Sequence, residues 1–196
     1  MIRRVGLTGG LAAGKSTVAE MLEERGLEVV DADRLVAELY GAGEEGARRV
    51  ESLFGGDYLT ESGAVDRPAV AGLVFDDPRS RRRLEEAIHP LVKRRYEEIV
   101  GETEGIVVLE ASLLVEAGWA ESFEAVVTVE APPEIRLHRA MERGLSRDEA
   151  ESRLDAQGSE EARRSVADFV LENDGSLEEL ERQVEDLVEA LGASGS

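Results

Sequence analysis

The 196-residue chain contains no cysteine, which excludes disulfide frameworks, thiolate nucleophiles and cysteine-ligated zinc together and fits a reducing compartment. No apolar run approaches the roughly 18 residues of a spanning helix. The basic start Met1-Ile2-Arg3-Arg4 runs within a few residues into Gly9-Gly10, so no uninterrupted signal-peptide core forms. These absences predict a soluble cytoplasmic protein with no membrane partner. Positive charge is also short, with 23 Lys+Arg against 43 Asp+Glu and a formal charge of −20. That excess of acid repels phosphate backbones and argues against nucleic-acid binding, so any polyphosphate must be captured by a local positive site. Lysine is the scarcest cation, present only at Lys15 and Lys93. What remains is 42% hydrophobic and 34% charged, the composition of one ordinary domain with a sizeable core and room for a small appendage.

Short β-rich runs alternate with longer stretches of helical period, the pattern of βαβ units around a parallel sheet. Strands are predicted at 4–8, 27–31, 105–110, 125–130 and 169–171. Between them, 16–25 places Val18, Met21 and Leu22 on one face and stops at Gly26, and 133–143 begins with prolines suited to a first turn and ends at Gly144. Leu177, Leu180, Val184, Leu187, Val188 and Leu191 recur at three- and four-residue steps, an apolar stripe expected to pack on the sheet. Residues 32–100 hold no convincing strand and read as consecutive helices with a turn at Gly55-Gly56. The expected organisation is an α/β core of residues 1–31, 101–132 and 168–192, a helical substrate-holding insertion at 32–100, an arginine-rich helical lid at 133–167 and a flexible tail at 193–196.

The strongest motif is Gly9-Gly10-Leu11-Ala12-Ala13-Gly14-Lys15-Ser16, a full match to G-x-x-x-x-G-K-[ST] between an apolar strand and a helix; at this chain's residue frequencies it would arise by chance in about 2 of 1000 such chains. Glycines let consecutive backbone N–H groups converge on phosphate oxygens, and the following helix adds its positive end. Lys15 is placed to reach the outer phosphates as a compact charge, and Ser16 to offer a hydroxyl to Mg²⁺. Lysine in this slot of an arginine-rich chain suits that chemistry. The loop predicts a nucleoside triphosphate and no more.

Three further patterns narrow the class. No Asn-Lys-x-Asp guanine motif exists, since Val92 precedes Lys93. Arg136, Arg139 and Arg143 stand three and four residues apart, so one helix can turn them to one side. They serve either to neutralise a transferring phosphoryl group, with Arg139 the preferred residue, or as a solvated face paired with Glu134 and Glu142. Asp31-Ala32-Asp33 ends the second strand. If the strand persists, both carboxylates face the ligand-binding edge of the sheet, one taking the proton of an attacking hydroxyl; the alternative is that one of them caps the next helix. Val107-Val108-Leu109-Glu110 is a weak Walker-B string.

In ordered combination the motifs resemble the dephospho-coenzyme A kinase family. They are Gly6-Leu7-Thr8-Gly9-Gly10, Ser16-Thr17-Val18-Ala19, Asp31-Ala32-Asp33, Val65-Asp66-Arg67, Val74-Phe75-Asp76-Asp77-Pro78, His89-Pro90, Leu113-Leu114-Val115-Glu116, Arg139 with Arg143, Ser146 to Ala150, Arg153 with Gln157, Ala167-Asp168, and Asn173 with Gly175. The resemblance implies a P-loop kinase fold with a five-stranded parallel sheet flanked by helices, a helical acceptor domain and a lid. It also implies transfer of the terminal phosphoryl of ATP, with Mg²⁺, to the ribose 3′-hydroxyl of dephospho-CoA. By the same resemblance Asp33 is the base, Arg139 makes the lid contact to the ATP phosphates beside the Lys15 of the loop, and Thr8, Asp31, Asp33, Arg67 and His89 lie on the acceptor side. Residues 9–17, including Thr17, together with Arg139, Asn173 and Gly175, lie on the ATP side, and Ser16 is the metal ligand. His89 is read equally as a packed helix residue. The expected partner is the small-molecule acceptor, for a monomer or small homo-oligomer.

The chain departs from the family pattern at Ser112 and Val115, where proline and phenylalanine are usual, and at Glu110 and Glu172, where aspartate is usual. None of these falls in the loop or at Asp33, so activity is expected to survive them. The rival readings are a P-loop kinase for another small acceptor, such as gluconate, shikimate or a nucleoside monophosphate, and a nucleotide-dependent regulatory module with no acceptor.

Overall fold

A computed structural model describes residues 3–192; the expected tail at 193–196 and the first two residues lie outside them. The described chain forms two compact units, one from the residues up to 30 together with those from 102 onwards, the other from residues 31–101. Among the described residues no helix is long and apolar enough to cross a membrane.

The first unit is built on a five-stranded sheet in the order β2-β3-β1-β4-β5, from β1 (Arg4–Gly9), β2 (Glu28–Asp31), β3 (Val107–Glu110), β4 (Ala125–Glu130) and β5 (Phe169–Glu172). β1 pairs in parallel with β3 and β4, and β4 with β5. The strands fall where the apolar runs predict them, and the near-continuous burial of β1, β3 and β4 is that of a sheet covered on both faces. Around Val5 and Leu7 of β1 close Val18 and Leu22 of α1 (Lys15–Glu24) and Val127 and Val129 of β4. The stripe of the last described helix, Leu180, Val184, Leu187 and Leu191, joins the same cluster. Leu177, the first residue of that stripe, does not: it sits in the first turn and is 56% exposed. The backbone of β1 is approached so closely that a Cβ on Gly6 would lie 2.7 Å from Leu114 Cδ1. Despite Ser112, the segment carrying Leu114 turns tightly, through Ala117 N–H to Leu113 O and Trp119 N–H to Leu114 O at 2.9 Å each.

The second unit is helical, with α2 (Ala32–Leu39), α3 (Glu45–Phe54), α4 (Arg67–Asp76) and α5 (Pro78–Glu102) in chain order. Gly55, at φ 99°, ends α3 in a conformation that suits glycine, as expected of the Gly55-Gly56 turn. Ala47, Val50, Val65 and Val70 form a small core flanked by Tyr40, Phe54 and Tyr58.

Back in the first unit, three helices fill residues 133–167: α6 (Pro133–Glu142), α7 (Arg147–Ala156) and α8 (Glu160–Val166). Ser146 and Glu149 close a reciprocal capping box at the start of α7. α9 (Leu177–Ala190) completes the unit, entered through a second capping box of Ser176 and Glu179.

Candidate active site

The carboxyl end of β1 runs through Gly9–Gly14 into α1, at the strand from which the chain crosses to either side of the sheet, the place where open α/β sheets bind ligands. The loop conformation explains its glycines. Gly14 has φ 108° and ψ 21° at the N-cap of α1, and no side chain caps that helix, which leaves its positive end for an anion. A Cβ on Gly9 would lie 2.3 Å from the Val129 carbonyl oxygen and one on Gly14 only 2.1 Å from Asn173 Nδ2. Ala12 takes φ 56°, an uncommon conformation for a side-chain-bearing residue. Leu11 and Ala12 at the loop's tip pack with Leu137, Ala140, Leu145 and Ala150 of the α6–α7 region.

Side chains tie this loop down from several directions. Asn173, just after β5, donates from Nδ2 to the Ala13 carbonyl at 2.7 Å and accepts at Oδ1 from Arg139 Nη2 at 3.4 Å. Gln157 Oε1, beyond α7, accepts from the Leu11 N–H at 2.5 Å. Lys15 Nζ donates to the Gly9 carbonyl at 3.3 Å, and the Ser16 hydroxyl donates to Glu110 Oε1 at 3.5 Å. Thr8 is wholly buried, and among the described residues its hydroxyl has no hydrogen-bond partner. Beside the loop a cavity of about 230 Å³ is lined by Gly14, Thr17, Arg139, Arg143, Asn173 and Gly175, among others.

Behind the loop lies a buried ion pair that pattern reading assigned no role. Glu130, the last residue of β4, receives Arg163 Nε at 2.7 Å on Oε1 and Nη2 at 2.8 Å on Oε2, with the Thr128 hydroxyl at 2.6 Å on Oε1. Burial by itself would raise the Glu130 carboxyl, but the guanidinium and hydroxyl outweigh it and hold it below the ordinary glutamate range. Burial likewise opposes the charge on Arg163, and Glu130 restores it. The only signal in the sequence is an acid closing an apolar strand.

In the helical unit the expected carboxylate pair takes another form. β2 stops at Asp31, so Asp31 and Asp33 do not alternate along one strand face. Asp31 caps α2, its Oδ1 accepting from Asp33 N–H at 2.8 Å and Arg34 N–H at 3.4 Å, because a short carboxylate satisfies the orphan amides of a first turn better than an extended backbone does. Asp33 is exposed in that first turn. Arg67 opens α4 and is exposed, one residue after Asp66, whose Oδ1 caps the helix by accepting from Ala69 N–H at 3.0 Å. His89 lies within α5 just before Pro90, and burial, resisted by Glu85 and reinforced by Lys93, pushes its imidazole below the ordinary value.

Two of the three arginines in and just after α6 leave the solvated face, while Arg143 is exposed. Arg136 is 8% exposed, Arg139 is engaged by Asn173, and Arg143 follows the end of α6 as its C-cap. It is His138, not an arginine, that stands 3.4 Å from Glu142.

Residues 3–179 match the family model for dephospho-CoA kinase, CoaE. The chain is 41% identical over 187 residues to the dephospho-CoA kinase of Streptomyces avermitilis, covering 94% of this chain and 91% of that one. It also resembles two solved structures. One is TT1252 from Thermus thermophilus, with a TM-score of 0.85 and 40% identity over 99% of both chains; the other is the dephospho-CoA kinase from Campylobacter jejuni, with a TM-score of 0.72 and 25% identity over 98% of both. With a glycine loop folded for phosphate at the head of a five-stranded parallel sheet and relatives this similar along nearly its whole length, the chain belongs to the dephospho-CoA kinase family.

Proposed function

We propose that this chain transfers the terminal phosphoryl group of ATP to the ribose 3′-hydroxyl of dephospho-CoA, releasing CoA and ADP, the last step of CoA synthesis, in the cytoplasm. The observation that carries this reading is the loop itself: a cradle whose Gly9 and Gly14 admit no side chain and whose helix end no side chain caps. Backbone amides of residues 9–17 hold the phosphate chain, and Lys15 leaves the Gly9 carbonyl to meet the outer phosphates. The cavity beside Asn173 and Gly175 takes the base. Arg139, already oriented by Asn173, spreads its charge over the phosphate chain.

The paired oxygens of Ser16 and Glu110 suit Mg²⁺, a hard cation bound through one or two protein oxygens, water and phosphate. When bound, it would screen the phosphate charge that otherwise repels an incoming alkoxide. Ser16 would be its ligand, with Glu110 orienting that hydroxyl.

Residues 32–100 are the acceptor-holding part, and 133–167 the lid that excludes water. Asp31 fixes the start of α2 and so the position of Asp33, which accepts the proton of the 3′-hydroxyl. The acceptor oxygen forms its bond to phosphorus in line as the bond from phosphorus to the bridging oxygen of ADP breaks, and the electron pair leaves with ADP. Thr8, Arg67 and His89 serve the acceptor. Incubating the protein with dephospho-CoA, ATP and Mg²⁺ should yield a product heavier by one phosphate group in the mass spectrum. A stronger preference for another alcohol in a panel of acceptors would overturn the substrate.

A further inference from the structure

Positive charge accumulates behind the glycine loop beyond what the protein neutralises. Arg136 and Arg139 stand one turn apart on α6, and Arg163 reaches in from α8. Arg163 is balanced by both oxygens of Glu130 and also donates from Nη1 to the Gly158 carbonyl at 2.6 Å. Arg136 has no such arrangement. It is 8% exposed, and among the described residues its Nε has no hydrogen-bond partner and it forms no ion pair. The carboxylates whose field reaches it are Glu130 and Glu160, and each is bonded to a different arginine, Glu160 to Arg164 at 2.7 Å. A buried guanidinium beside another guanidinium is costly unless an anion completes it.

The loop's geometry indicates which anion. A Cβ on Gly10 would lie 1.8 Å from Arg136 Nη1 and 3.3 Å from Arg163 Nη2, so the missing side chain at Gly10 makes room for the Arg136 guanidinium against the loop backbone. Gly14, at the other end of the loop, borders the cavity with Asn173 and Arg139. A nucleotide whose base enters that cavity runs its phosphates along the loop away from Gly14, which brings the distal phosphate toward Gly10.

We propose that Arg136 is a further catalytic residue, contacting the terminal phosphoryl group of the bound nucleoside triphosphate, and that the Glu130–Arg163 pair is the positioning unit that holds it against Gly10. Arg163 supplies a like charge on one side, and the phosphoryl oxygens supply the missing counter-charge on the other. The inference rests on the phosphoryl-transfer reading above.

The test compares ATP with ADP, which differ by the group Arg136 touches. In Arg136→Gln, ADP affinity should stay within about twofold of wild type while ATP affinity falls about tenfold and kcat about 100-fold, the scale of losing one preorganised electrostatic contact. Arg136→Lys should recover part of kcat, because it restores the charge without the planar fork. Gly10→Ala is the second variant: it leaves Arg136 in the chain and Gly10 has no left-handed φ, yet its methyl displaces the guanidinium, so it should show the same split between ATP and ADP even if Arg136→Gln does not fold. Equal loss of ATP and ADP affinity, or a kcat within about threefold of wild type in a folded variant, overturns the assignment. A wild-type protein that transfers no phosphate overturns the parent reading instead, so the two failures are told apart.

Discussion

In the sheet unit one ion pair is held out of water: Glu130 and Arg163 are each 1% exposed and meet through two short bonds, within a unit whose core draws on residues from Val5 to Leu191. In the helical unit the charged groups of interest lie in solvent. Asp31, Asp33 and Arg67 are exposed, and ion pairs such as Arg94 with Glu45 at 2.7 Å join side chains that are still partly wet. Beneath them lie the cluster of Ala47, Val50, Val65 and Val70 and the buried Leu35, Ile88, Leu91 and Val92. Buried, saturated charge is preorganised and keeps its geometry whether or not ligand is present. Exposed charge is cheap to place and depends on ligand to be desolvated. A kinase needs both, a fixed cradle for a polyanion and an accessible base for an alcohol that must come and go.

Substitutions on the two sides of this contrast should therefore fail differently. The largest effect is expected from Asp33→Asn, which should cut turnover about 10²–10⁴-fold, the range of a lost general base, while ATP binding and the unfolding midpoint stay at wild-type values. Stopped-flow or coupled ADP-release kinetics alongside nucleotide titration measures this, and wild-type turnover would remove the base assignment. Arg163→Met attacks the buried side instead. It strands Glu130 without its partner and should cost about 3–5 kcal/mol of stability, read by urea denaturation; an unchanged midpoint would mean that the pair is not the structural keystone its burial indicates.

The smallest effect concerns His89. Its imidazole, lowered by burial first, with Glu85 opposing and Lys93 assisting, binds a proton less readily in the folded than in the unfolded chain. The unfolded state therefore takes up protons first as pH falls below the ordinary value of 6.5, so this contribution is fully present above that value and is lost progressively down to the depressed folded value. Denaturation midpoints measured in this window should slope with pH in the wild type and flatten in His89→Gln. An equal slope in both proteins would assign it to other groups.

The strand and helix plan was legible because its signals are local. Apolar runs of β1 and β4 and the recurrent leucines and valines of α9 announce themselves within a dozen residues, and the glycine loop announces its own chemistry. The ends of elements were less legible. Asp31 and Asp33 allowed either a strand-borne pair or a helix cap, and Asp31 takes the cap, since a side chain that can cap a helix competes with continued extension. Leu177 kept the period of its stripe but lies in the first turn, where the sheet no longer covers it.

The sequence by itself determined the α/β class, the phosphate loop and which residue types line it, since backbone propensity and periodicity act over neighbouring residues. Only the tertiary structure decided which polar groups meet: Asn173 with the Ala13 carbonyl across 160 positions, Glu130 with Arg163 across 33, and Arg136 against the bare face of Gly10. Such pairings carry no periodic signature, because they are chosen by the packing of whole elements and by the free energy of leaving a buried polar group unpaired.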